Sequence, residues 1–257
     1  MSAISETCER ILGAYETGTP IAPVRDRIQG VSDAYAVQQA SVDVWLNRGR
    51  KIAGQKIGLT SKAVQAQLGV NEPDFGMLFA DMILDSGAEV ARGTVLQPRI
   101  EGELAFVLKA DLEGSRLSAD DVIRATEYVT PAIEICGSRI ADWNIGIVDT
   151  ISDNASAGLI VLGNTRVKPV LDELPQVAMT VQHNGVAAAE GRGEACLGNP
   201  ALAVAWLGEM LTRLGRGLRA GDVVMSGAMA KMVSAKSGDD FAVEFSRLGT
   251  VRVRFGR

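Results

Sequence analysis

Histidine is nearly absent from this sequence: His183 is its one copy in 257 residues. It stands beside Asn184-Gly185, a pair that favours a tight hairpin turn, and at a hairpin tip it reads as an exposed residue rather than a catalytic base. Cysteine is almost as scarce. Cys8, Cys136 and Cys196 are odd in number and far apart, which fits neither a disulfide framework nor a zinc site and points to a reducing cytoplasm. Positive charge is not in excess: the net charge is −5 and no Lys/Arg cluster stands out, so a nucleic-acid partner is not expected. No apolar run reaches the ~18–20 residues of a membrane span. The N-terminal stretch MSAISETCERI lacks a basic segment followed by an apolar one, so it does not read as a signal peptide.

What remains is ordinary globular material, with 47% hydrophobic and 22% charged residues, and enough of it to build a sizeable core. Ile4, Cys8, Ile11, Leu12 and Tyr15 share one helical face. A second helix is predicted from an N-cap at Ser32 to about Arg48, with Gly49 as its stop. Lys51–Gly58 reads as a strand, and Thr60 or Ser61 opens a short helix closed by Gly69. Residues 71–76 (NEPDFG) form a turn cluster. Ser118-Ala119-Asp120-Asp121 resembles a capping box and starts a helix predicted to reach about Tyr128. Residues 137–149 read as a loop, and 177–186 as a strand entering the Asn184-Gly185 turn. Asn199-Pro200 caps another helix, and three strands close the chain. Strands and helices do not alternate regularly, which disfavours Rossmann and TIM layouts. The expected fold is α+β, a mixed, curled β-sheet core (51–257) with an N-terminal helical region (1–50) packed on it.

Chemistry concentrates in Pro98–Leu108. Ile100, Leu104, Phe106 and Leu108 recur at every second position, the pattern of a strand, and Gly102 leaves a gap on that apolar face. Glu101 and Glu103 therefore point together to the other side, roughly 7 Å apart. Two carboxylates so placed are either a solvated strand face or ligands for a hard divalent cation. A second apolar run, Thr130–Cys136, embeds a lone carboxylate, Glu134, whose burial is costly unless it is paired or metal-bound.

PRIEGELAFVL, PAIEICGSRIADW and VDTISDNAS, in this order and preceded by KIGLTSKAVQAQLGVNEPDFGMLFADM, resemble the 2-keto-4-pentenoate hydratase family of the fumarylacetoacetate-hydrolase-like superfamily. The resemblance runs from about Ala22 to Phe255. It implies that Glu101, Glu103 and Glu134 ligate Mg²⁺ or Mn²⁺, leaving positions open for a chelating 2-oxo acid. It also implies that Lys56, in GQKIG, and Asp74, in PDFG, handle protons. Ser156 and Arg139 are candidates for substrate binding, Arg139 alternatively for a surface pair with Asp142. The implied reaction adds water to 2-hydroxypenta-2,4-dienoate to give 4-hydroxy-2-oxopentanoate. Decarboxylation of 2-oxo-3-hexenedioate and hydration of a 2-oxo-heptenedioate are its enzymatic rivals, and a metal-stabilised structural module is the non-enzymatic one. The C–C hydrolases of the superfamily resemble enzymes that use a histidine–glutamate pair, and no histidine accompanies the motifs here. The family implies homo-oligomers.

Overall fold

The computed structural model describes residues 2–62, 65 and 70–257. The short helix expected after Thr60 lies outside the described residues. In chain order the elements are α1 (Ala3–Thr17), α2 (Gly30–Asn47), β1 (Ile52–Gly58), β2 (Asp74–Phe79), β3 (Ile83–Asp85), β4 (Ala88–Val90), β5 (Arg99–Leu108), α3 (Ala119–Ala125), β6 (Thr126–Cys136), α4 (Ile147–Ser152), β7 (Leu159–Leu162), β8 (Ala178–His183), β9 (Val186–Arg192), α5 (Pro200–Arg213), β10 (Val223–Met225), β11 (Val233–Ser234), β12 (Asp240–Phe245) and β13 (Gly249–Phe255). The strands form a mixed, curled sheet in the order β2-β1-β10-β5-β6-β7-β3, with β11 added on β5, and a second sheet in the order β4-β13-β12-β8-β9. The α+β expectation holds.

β5 is the central strand of the first sheet, with one face turned to the second. The face that carries Ile100, Leu104 and Phe106 is fully buried in the core shared with Val181, Phe241 and Val243 of the second sheet. The gap at Gly102 is where that sheet comes closest: a Cβ there would lie 2.9 Å from both Met179 Sδ and Val243 Cγ1. Helices α1 and α2 cover part of the first sheet, where Leu12, Val37, Val42 and Trp45 pack with Leu78, Phe79, Ala105 and Val107. Among the described residues no helix is long and apolar enough to cross a membrane.

Local signals set several ends. Ser118 and Asp121 complete a reciprocal capping box, Asn199 accepts from Ala201 N, and Asn184-Gly185 turns with both φ angles positive. Four expectations are corrected. Helix α2 starts at Gly30 rather than after Ser32, because Asp33 reaches back to Gln29 N. Helix α3 stops at Ala125, and the chain runs on as β6 because it pairs along almost the whole length of β5. Residues 147–152 form α4, capped by Asp149 on Gly146 N. The turn cluster is shorter than expected: Asp74, Phe75 and Gly76 are buried strand residues paired with β1.

Candidate active site

Strand register builds the site. β5 and β6 are antiparallel, with Glu101 opposite Glu134 and Glu103 opposite Ala132. Directly opposed residues share a face, so the three glutamates crowd one patch. On the same face, Lys56 pairs with Met225 and Met225 with Ala105. Across β1 and β2, Lys56 lies opposite Gly76 and Gly58 opposite Asp74. Five chemistry-bearing side chains from β1, β2, β5 and β6 thus share one side of one sheet.

Their bonding is incomplete. Glu103 and Glu134 are fully buried and Glu101 is half-buried. Glu103 Oε2 accepts from Gly227 N at 2.8 Å, but its Oε1 and both oxygens of Glu134 have no hydrogen-bond partner among the described residues. Lys56 Nζ donates to Ala155 O at 3.0 Å and lies 3.4 Å from Glu134 Oε1, a charge contact rather than a directed bond. Burial, the largest single influence, would lower the Lys56 pKa, but Glu134 together with the other acidic groups around it, Asp74 and Glu101 among them, outweighs burial and holds the ammonium charged. Burial, then mutual repulsion with Glu134, pushes the Glu101 carboxyl up to about 7. The Glu103 carboxyl is raised well above its usual range for the same reasons. Burial also raises Glu134, against the pull of Lys56. Three carboxylates, with three of their oxygens orphaned and only one ammonium against them, are a donor set that suits a hard divalent cation.

Cys136 also enters this cluster. Its thiol donates to Glu101 Oε2 at 3.3 Å, and one ligand atom from each of Glu101, Glu134 and Cys136 lies within 4.8 Å of the others. Burial pushes the thiol well above its usual pKa. It is therefore a neutral S–H, a poor ligand beside carboxylates.

A cavity of about 610 Å³ opens on the patch, lined among others by Lys56, Gly58, Asp74, Glu101, Thr150 and Ser156. Asp74 lies across Gly58, where a Cβ would come 2.2 Å from Asp74 Oδ1. That oxygen has no hydrogen-bond partner among the described residues, while Oδ2 accepts from Thr150 Oγ1 at 3.3 Å. Burial raises the Asp74 pKa. Ser156 Oγ lies 3.4 Å from Thr150 Oγ1.

Lys56, Asp74, Ser156 and the three glutamates are thus brought together; Arg139 is not. It is buried, pairs with Asp153 at 2.5 Å rather than with Asp142, and lines a separate cavity of about 260 Å³ with Tyr15. The pair was hidden because 14 residues separate its members. His183 is half-buried rather than exposed: its ring stacks on Phe241 and Nε2 lies 3.0 Å from Asp239 Oδ2, in the second sheet. Thr150, Arg99 and Trp143 line the main cavity without having been singled out. The strand alternation that grouped Glu101 with Glu103 also places Arg99 on their face.

The model of the family described as fumarylacetoacetate (FAA) hydrolase C-terminal matches residues 17–255. The chain is 50% identical over 240 residues to 2-keto-4-pentenoate hydratase 2 of Dechloromonas aromatica, covering 93% of this chain and 92% of that protein. It is 41% identical over 251 residues to 2-hydroxyhexa-2,4-dienoate hydratase of Comamonas testosteroni, covering 96% and 95%. Among solved structures, 4-oxalocrotonate decarboxylase from Pseudomonas putida G7, complexed with magnesium and adipate, superposes with a TM-score of 0.94. It is 32% identical, and the match covers 98% of this chain and 97% of that one.

Proposed function

Because the chain belongs to the fumarylacetoacetate (FAA) hydrolase C-terminal family, and within it to the 2-keto-4-pentenoate hydratases, we propose that it is a metal-dependent hydro-lyase of aromatic-compound degradation. It adds water to 2-hydroxypenta-2,4-dienoate and forms 4-hydroxy-2-oxopentanoate. The observation that carries this reading is the set of orphaned carboxylate oxygens on Glu103 and Glu134, facing Lys56 on one sheet face.

Glu101, Glu103 and Glu134 would hold Mg²⁺ or Mn²⁺. Such an ion supplies Lewis-acid polarisation and an anchor for the carboxylate and 2-oxygen of the substrate. The protein's own groups manage the protons. Lys56, kept charged by Glu134, donates a hydrogen bond to the 2-oxygen and offsets the negative charge that gathers there. Asp74, its pKa raised by burial, lines the cavity as the acid/base group. It delivers a proton to C5 as the enol proton leaves the 2-oxygen for solvent, giving an α,β-unsaturated ketone. As a carboxylate it then takes a proton from the water that adds at C4, and solvent returns a proton to C3, which leaves Asp74 protonated as it began. Thr150 orients Asp74 through Oδ2, and Ser156 offers a hydroxyl to the substrate carboxylate.

Residues 51–257 form the catalytic core in this proposal, with 1–50 as its helical cover. The same reading extends to a cytoplasmic homo-oligomer, for which the exposed Val31 and Leu46 of α2 offer apolar contact surface. Decarboxylation of 2-oxo-3-hexenedioate is the second reading. It is favoured by the likeness to the decarboxylase and by Lys231, an exposed cavity-lining cation able to meet a distal carboxylate. A product assay on both acids with Mg²⁺ separates them. Formation of 4-hydroxy-2-oxopentanoate, with no CO₂ from the diacid, is expected. CO₂ release with little hydration would make the second reading correct.

A further inference from the structure

Arg99 is a charged residue of the cavity that the proposed reaction has not used. It opens β5 opposite Cys136, on the same sheet face as Glu101 and one step along the strand from it. No carboxylate among the described residues pairs with it. Its guanidinium lies over the Trp143 ring, 4.2 Å from the centroid, and both residues line the cavity with Glu101. A guanidinium stacked on an aromatic ring keeps its edge free for a planar anion.

The ring beneath it is held deliberately. Trp143 has φ +54°, Asp142 +58° and Gln97 +51°, conformations that non-glycine residues adopt rarely and mostly where surrounding structure imposes them. Here Gln97 imposes them. Its backbone carbonyl accepts from Trp143 Nε1 at 2.9 Å, and its side-chain oxygen accepts from Asp142 N at 2.7 Å. Its side-chain nitrogen donates to Ser138 O and Ile140 O. The strap fixes the indole at the cavity wall, where it seats Arg99.

Charge balance gives this cation a task. With Glu101, Glu103 and Glu134 ionised and Asp74 holding the proton it delivers, the patch carries three negative charges, and Lys56 with a divalent cation returns three. An incoming carboxylate therefore meets no surplus of positive charge unless another cation is present. The geometry points to Arg99, seated on Trp143, as the residue that recognises the C1 carboxylate of the 2-oxo acid through a charge-assisted, two-pronged hydrogen bond. Its closeness to Glu101 places it at the chelated end of the substrate rather than the far end. The assignment rests on the proposed function, since it takes the three glutamates as the metal site.

The test is calorimetric titration of pyruvate into Mn²⁺-loaded protein, with Mn²⁺ affinity measured separately by electron paramagnetic resonance. Wild type is expected to bind pyruvate only with metal present. Arg99→Gln should weaken pyruvate about tenfold or more with Mn²⁺ affinity unchanged, and Arg99→Lys should recover part of the loss. Trp143→Leu should give a smaller loss that Trp143→Phe restores. Wild-type affinity for pyruvate in Arg99→Gln, with metal bound, would overturn the assignment. So would a loss seen with adipate, titrated in parallel, but not with pyruvate, which would move Arg99 to the far end of the substrate. Absence of metal-dependent pyruvate binding in the wild type would overturn the functional reading itself.

Discussion

Two buried ionic clusters meet the turn that runs from Asp153 to Ser156, and they are finished differently. At one end, Arg139 and Asp153 satisfy each other. Asp153 Oδ1 accepts from Arg139 Nε, Oδ2 from Arg139 N, and the Asp153 carbonyl takes a third bond from the guanidinium, which itself lies over Tyr15. At the other end, Lys56 faces Glu134 with Glu101 and Glu103 beside it, and buried oxygens are left without partners. Both clusters are largely buried, with Glu101 of the open one half-exposed toward the cavity. A closed pair is a fastening, because nothing about it is left for a ligand to complete. An open one carries a standing cost that a bound cation, or retained protons, must remove. The sequence offers Arg139 either for substrate binding or for a surface pair with Asp142; its bonding is instead to buried Asp153, in the closed cluster.

Breaking each cluster should therefore give opposite kinds of damage. Asp153→Ala strands a buried guanidinium and should lower unfolding free energy by about 3–5 kcal/mol in denaturant titration. Glu103→Gln should do the reverse. The amide oxygen can still accept from Gly227 N while one buried negative charge disappears. Metal-free stability should then stay within about 1 kcal/mol of wild type, or rise, while metal-dependent hydration falls by about 10²-fold or more. Loss of folding in Glu103→Gln would show that cluster to be a fastening too.

Acidity offers a gentler comparison. The open cluster's carboxyls are raised in the folded protein, Glu101 to about 7. The native state thus keeps protons that the unfolded chain has released above roughly pH 4.3. The contribution of this cluster to the stability of the metal-free protein should be greatest below that pH and decline as pH rises through about 7. Mg²⁺ should lift the stability most at the high end, because it binds the deprotonated form. A thermal midpoint series between pH 5 and 8, with and without Mg²⁺, checks the sign.

How much was legible follows from the range of each interaction. The capping box at Ser118, the Asn199 cap, the Asn184-Gly185 turn and the alternation in β5 are set within a few residues, and all can be read directly. The grouping of Glu101 with Glu103 is of this kind. Asp74 was placed in a turn because Asn71, Pro73 and Gly76 surround it. Its strand exists only through β1, about twenty residues upstream in the chain. The helix-to-strand change at Thr126 likewise needs β5 as a template. The seating of Trp143 depends on Gln97, 46 residues away, and on three strained backbone angles that no local pattern announces. Lys56 was placed at the site by family resemblance; its geometry depends on three successive strand pairings.

The central claim is that the open cluster is a divalent-cation site. The most direct measurement is calorimetric titration of Mn²⁺ into chelator-stripped protein, wild type against Glu103→Gln, at neutral pH. The account predicts one site per chain, proton release on binding, and loss of the site in the variant. Equal binding by both proteins, or none by the wild type, would contradict it.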